Sequence, residues 1–329
     1  MVQTRGLAVN AETRGGDRAT GRFGDAPLKL NPADKVVVAY LGLIAILILV
    51  FSYRIESWGW FCAGHAVVIA LVALIAKWAR PLAESPSLPV ALSSHRVASF
   101  IHDWYPVALM GLTYKELTYL IPRIHPRDFD SALAAIDHRI FGVHPTVWLE
   151  RFTWPPLTEV LQLTYSTYYF LPIVLGVVLW KRDNPNKFHF LVFVVVLGFY
   201  LSYLGYIAVP AIGPRFLPSI VEAQTTSLTG LLFFQPVRRM LDSAEGITRD
   251  CFPSGHTELT LLVLYYARKF HRCTFWCLLP FGIGIVLSTV YLRYHYFVDV
   301  VAGALVAVAI VVIATPLYNN LPTRESQRA

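Results

Sequence analysis

The apolar residues of this chain fall in runs long enough to span a bilayer core, which takes a helix of about 20 residues and sometimes as few as about 17. Six runs are clear: 36–52, 58–78, 157–180, 188–209, 275–292 and 297–317. Two more are weaker, since 97–114 carries His102 and Asp103, and 256–270 is short and opens on polar residues; for these the alternative is an interfacial helix. The pattern predicts an all-α polytopic membrane bundle of eight spans. Between 115 and 156 the chain is too polar to span and too apolar for a free loop, so short amphipathic helices lying in the interface are expected there. With the 211–254 loop they would roof one face of the bundle.

Composition agrees with a membrane protein: 55% of the 329 residues are hydrophobic and 15% are charged, against about 25% charged in an ordinary soluble domain. Counting Lys and Arg orients the chain, because cytoplasmic loops collect positive charge. With eight spans both termini share one compartment, together with Lys77, Arg80, Arg96, Lys181, Arg182, Lys187, Arg268, Lys269 and Arg272, and this side holds most of the 28 basic residues. Both termini are therefore expected to be cytoplasmic, in a plasma or inner membrane. Residues 1–35 read as a disordered basic tail without a cleavable signal, 36–114 as N-terminal transmembrane helices, 115–156 as interfacial helices, 157–318 as the catalytic transmembrane domain and 319–329 as a second cytoplasmic tail.

The polar residues that carry chemistry gather in two fragments, Cys251-Phe252-Pro253-Ser254-Gly255-His256 and Tyr291-Leu292-Arg293-Tyr294-His295-Tyr296-Phe297-Val298-Asp299. One helix running inward from 256 and one running outward to 292 return His256 and His295 to the same, extracytoplasmic, surface. Asp299 follows His295 by one helical turn and can accept a hydrogen bond from an imidazole nitrogen, leaving the other nitrogen directed outward. Phosphoryl transfer asks for a nucleophile, an acid for the leaving oxygen and cations around the phosphate. His295 backed by Asp299 suits the first role and His256 the second. Ser254 and Gly255 stand before a helix N-terminus, where free amides and the dipole favour an anion, and Arg215, Arg249 and Arg293 are candidate clamps.

The Pro-Ser-Gly-His block with the downstream Ser288, His295 and Asp299 resembles the type 2 phosphatidic acid phosphatase superfamily, which also includes vanadium haloperoxidases and glucose-6-phosphatase. The resemblance covers residues 157–318 and implies a six-helix phosphatase-type core, with the N-terminal spans as additions. It further implies a phosphohistidine mechanism with His295 as nucleophile, His256 as general acid, Asp299 orienting His295, and Ser254 and Gly255 on the phosphate. Two motifs depart from the family. Ala208 stands where a Lys begins the usual first motif, so of that motif Arg215 alone carries over, and Thr289 replaces the Arg that normally follows Ser288, a charge that Arg293 is placed to supply. The 291–296 ending and the shortened first motif look more like the inositol phosphorylceramide synthase branch than the soluble acid phosphatases, which implies transfer of a phospho-headgroup from one lipid to an alcohol; a phospholipid or isoprenoid phosphate substrate and a lipid alcohol acceptor are the expected partners.

Other polar and aromatic positions have plainer readings. Tyr165, Tyr168, Tyr169 and Phe170 form a cluster suited to an acyl or headgroup pocket, or to interfacial anchoring. Cys62, Cys251, Cys273 and Cys277 show no metal-ligand spacing, so no metal is expected; a disulfide between Cys62 and Cys251 is an open alternative. No nucleotide-binding, dinucleotide or nucleic-acid motif is present, so no cofactor and no nucleic-acid partner is expected. The intramembrane His and Asp set leaves a lipid-phosphate or proton-coupled transporter as the competing class.

Overall fold

The computed structural model describes residues 30–79, 89–182, 184–246 and 249–321. Most of both basic tails, with Arg80, lies outside them. The described residues are all-α, without a strand. The helices are α1 (Pro32–Val50), α2 (Trp58–Trp78), α3 (Pro89–Ile124), α4 (Asp130–Phe141), α5 (Pro145–Trp148), α6 (Pro155–Ser166), α7 (Phe170–Lys181), α8 (Pro185–Ala208), α9 (Pro218–Ala223), α10 (Phe234–Glu245), α11 (Gly255–Phe270), α12 (Arg272–Tyr291) and α13 (Phe297–Asn320), with a 3-10 turn over Leu149–Phe152.

Among the described residues, α1, α2, α8, α12 and α13 are long and apolar enough to cross a bilayer, and α6 with α7 adds a sixth crossing if that bent pair is one span. The chain is an integral membrane protein. Length and composition therefore give five or six crossings where the hydrophobic runs suggest eight. The helix α11 has 16 residues and carries buried Thr257, Glu258 and Thr260. It is enclosed by α8, α12 and α13, so protein rather than lipid surrounds its polar groups. The other weak span belongs to α3, which continues ten residues past Tyr114 to Ile124. Charge at Lys115 and Glu116 marks the end of the apolar run, but Glu116 meets His65 of α2 at 3.0 Å, and the helix carries on.

The run 157–180 is broken between Ser166 and Phe170, with a bend of 49° between α6 and α7. Thr164, Ser166 and Thr167 each return their hydroxyl to a carbonyl three or four residues back, a bonding pattern that bends helices. Pro172 then falls in the first turn of α7, where its missing N–H costs least. The stretch 115–156 contains the end of α3, then α4, α5, the 3-10 turn and the start of α6, and the 211–254 loop contains α9 and α10.

The N-terminal helices are tied to the bundle by buried polar contacts. Asp34 near the start of α1 accepts from His102 Nε2 at 3.1 Å and Tyr105 at 2.8 Å on α3, and Tyr40 stacks on Tyr200 of α8 with ring centroids 3.9 Å apart.

Candidate active site

The two chemical fragments meet at one end of the hairpin formed by α11 and α12. His256 is the second residue of α11 and His295 lies in the turn before α13; their ring centroids are 5.6 Å apart. Three contacts lock this end. Ser254 N–H donates to the Asp299 carbonyl at 3.0 Å, and Tyr294 and His295 N–H both donate to the Thr289 carbonyl at 2.9 Å. Gly303 of α13 then faces the Ser254 carbonyl so closely that a Cβ would overlap it.

The ring of His295 is buried and its Nδ1 lies 2.8 Å from the Cys251 carbonyl oxygen. That oxygen can only accept, so Nδ1 carries the proton and Nε2 is left with its lone pair. Asp299 Oδ2 stands 3.5 Å from Nδ1. Its shorter bonds run from the Cys251 thiol at 2.9 Å and the Tyr296 amide at 2.8 Å. Cys251 thus touches both residues, its thiol donating to Asp299 and its carbonyl facing His295 Nδ1. Burial, with the Asp299 charge adding to it, holds the Cys251 thiol well above its ordinary pKa, so it stays protonated and stays a donor. All four cysteines are free. Cys251 therefore does not pair with Cys62; it joins His295 and Asp299 in a buried group whose donor atoms lie within 4.8 Å of one another.

His256 lies between aromatic faces, 4.4 Å from Tyr165 and 4.2 Å from Tyr168, and Tyr165 stacks in turn on Tyr294 at 4.4 Å. Its Nε2 is buried with no hydrogen-bond partner among the described residues. A small cavity of about 20 Å³ is shared by His256, His295, Arg215, Tyr165, Tyr294 and Asp250. Arg215 lies over the Tyr294 ring at 4.5 Å and donates to Asp242 of α10 at 2.7 Å. The cavity brings together the two imidazoles, the Arg215 guanidinium and the Asp250 carboxylate.

The remaining sequence candidates do not line this cavity. Ser254 is the N-cap of α11, its oxygen accepting from the Thr257 amide at 3.3 Å and hydroxyl at 3.1 Å, so its hydroxyl serves the helix. Gly255 opens the helix, with the Tyr206 hydroxyl where a Cβ would go. Arg293 does not reach this cavity as the replacement cation: its guanidinium donates to Gln224 at 2.7 Å, Glu150 at 2.8 Å and the Thr226 carbonyl at 2.6 Å. A fork bound on three sides ties the 224–226 loop down. Arg249 is paired with Asp128.

Several positioning residues have no motif in the sequence. Asp137 of α4 accepts the amides of Phe297 and Val298 at 2.7 and 2.9 Å, capping the helix that carries Asp299. Asp130, two turns earlier on α4, accepts the amides of Ile212 and Gly213 and the Tyr296 hydroxyl. Gly213 has φ +107, and a Cβ there would lie 2.7 Å from the Tyr294 carbonyl, so this turn before Arg215 requires glycine. Glu159 of α6 accepts four successive amides, Leu231 to Phe234, and seats α10. The seven-residue spacing of Asp130 and Asp137 on an amphipathic helix is the signal that marks them in sequence.

Fold and site define a class, a helical membrane protein with paired histidines held at one end of a buried hairpin. The model of the PAP2 superfamily matches residues 131–313, and the chain belongs to that superfamily. It is similar to a PA-phosphatase related-family protein of Dictyostelium discoideum, 27% identical over 164 residues. That match covers 44% of this chain and 30% of the relative, so the chain spans under a third of that protein's length. No solved structure matches it. The matched segment starts in α4, leaving α1, α2 and α3 outside it.

Proposed function

We propose that this protein cleaves or transfers the phosphate ester of a lipid through a phosphohistidine intermediate. The observation that carries the reading is the division of labour between the two imidazoles. His295 Nδ1–H is committed to the Cys251 carbonyl, which leaves Nε2 as the nucleophile, and His256 Nε2 is buried beside it without a partner. Membership of the PAP2 superfamily supports phosphatase-type chemistry, and the printed name of the Dictyostelium relative points the same way.

In the proposed reaction His295 Nε2 bonds to phosphorus as the ester P–O bond breaks, and His256 gives its proton to the departing alkoxide. Water or an alcohol then attacks the phosphohistidine, returns a proton to His256 and frees His295. Arg215 and the first turn of α11 offset charge on the phosphate oxygens. The Lys and Arg distribution favours cytoplasmic termini and an extracytoplasmic site. The 291–296 ending favours transfer to a lipid alcohol, as in the inositol phosphorylceramide synthase branch, as the second reading.

Phosphorus mass balance on the purified full chain, with phosphatidate, isoprenyl pyrophosphate and phosphatidylinositol and with or without ceramide or diacylglycerol, tests both. Free phosphate that disappears in His295→Ala means hydrolysis. A new phosphodiester formed only with acceptor means transfer. Lack of turnover in every arm removes the enzyme reading in favour of a transporter.

A further inference from the structure

A second, larger cavity meets the first at His256 and Asp250. It lies between α3, α7 and α8 and holds about 190 Å³. Its walls are carbon: Val107 and Met110 on α3, Ile173 on α7, and Val192, Val195 and Phe199 on α8. Tyr114, Tyr168 and Tyr203 line its upper end, and each spends its hydroxyl on protein: Tyr114 on Asp250 at 2.5 Å, Tyr168 on the Gly255 carbonyl at 3.4 Å and Tyr203 on the Met110 carbonyl at 3.0 Å. Trp104 and Phe188, whose rings are 5.6 Å apart, line the opposite end. Asp103 beneath them is taken up by His189 at 3.1 Å and Trp180 at 3.2 Å.

Along α8 the lining runs from Tyr203 to Phe188, which at 1.5 Å per residue is about 22 Å. One leaflet of hydrocarbon is about 15 Å deep. The groove is therefore long, lined mostly by carbon between Asp103 and Asp250, and shares His256 and Asp250 with the phosphate cavity, along a helix apolar enough to cross a membrane. A hydrocarbon chain attached to the bound phosphate matches each of these properties.

We propose that the groove holds a single alkyl or isoprenyl chain of the lipid phosphate and measures its length, with Trp104 and Phe188 as the stop. This rests on the phosphate-ester reading above and adds the substrate's tail. One wall, α3 with Trp104, lies outside the superfamily-matched segment, while α7, α8 and Phe188 lie inside it, so the groove is built jointly by both parts of the chain.

The test uses the full chain in lipid nanodiscs with butyl and octadecyl phosphate. Val107→Trp and Val192→Trp fill the groove from opposite walls at partly exposed positions. Each should lower octadecyl phosphate turnover at least about tenfold, the loss expected when two or more methylenes leave an apolar site, and leave butyl phosphate unchanged. An octadecyl phosphate with a terminal diazirine should label the Trp104 and Phe188 end. Equal effects on both phosphates, or labelling that octadecanol competes as well as octadecyl phosphate does, would overturn the proposal. Wild-type protein that turns over neither phosphate would overturn the phosphate-ester reading beneath it.

Discussion

Gly303→Ala asks whether the close approach of α13 to the α11 turn sets the site. Alanine is worth about 0.5–1 kcal/mol over glycine inside a helix, so α13 itself gains. The added Cβ, however, falls on the Ser254 carbonyl, with its carbon at 3.2 Å and the Glu258 nitrogen at 3.4 Å, where carbon contacts prefer about 3.5–4.0 Å. Relieving the overlap means separating the helices by about 1 Å. The Ser254 N–H to Asp299 carbonyl bond, now 3.0 Å, would then stretch past the hydrogen-bond limit of about 3.2 Å. A misplacement of about 1 Å costs on the order of 100-fold in rate. Initial rates on a lipid phosphate in nanodiscs should therefore fall about 100-fold, while the thermal midpoint moves by a few degrees at most. Gly42→Ala in α1 is the control, since nothing lies within 4 Å of a Cβ there. A Gly303→Ala protein as active as Gly42→Ala would refute the claim that this contact sets the geometry.

The two arginines should separate by assay. Arg215→Lys should raise KM or lower kcat at an unchanged thermal midpoint, whereas Arg293→Lys, which loses a fork bound by Gln224, Glu150 and Thr226, should lower the midpoint by several degrees; the reverse pattern would exchange their roles. Cys251 should resist maleimide in the folded protein at about pH 8 while exposed Cys273 and Cys277 react, and equal labelling by mass spectrometry would contradict its burial and raised pKa. Burial, with His138 nearby, holds His144 below its ordinary value. On acidification the unfolded chain takes up that proton first, so the stability linked to neutral His144 is present above about pH 6.5 and is lost as pH falls toward the folded value. His144→Gln should then lose less of its thermal midpoint than wild type below about pH 6.5; equal losses would remove His144 as the cause.

The helix α2 occupies 58–78, the residues its apolar run marks, because composition decides where an unbranched span begins and ends. The pairing of His256 with His295 was also legible, since a hairpin of two helices returns its ends to one surface. Less legible was any feature that depends on a partner distant in sequence. Glu116 looks like a stop signal until His65 of α2 is beside it. Arg293 looks like a spare cation near the phosphate until Glu150 is found against it. Cys251 carries no spacing signal, yet it bridges Asp299 and His295 through one side-chain and one main-chain bond. The break at residues 167–169 was hidden because Thr164, Ser166 and Thr167 interrupt the apolar run without a charge, while their back-bonded hydroxyls and Pro172 bend the helix.

The central claim is that His295 is the nucleophile. Rapid quenching of the full chain with radiolabelled lipid phosphate under conditions that preserve phosphohistidine, followed by peptide mapping, tests it most directly. The account predicts label on the peptide carrying His295, absent in His295→Ala and still formed when water or alcohol attack is slowed. Label on the His256 peptide, or turnover at the wild-type rate in His295→Ala, would contradict it.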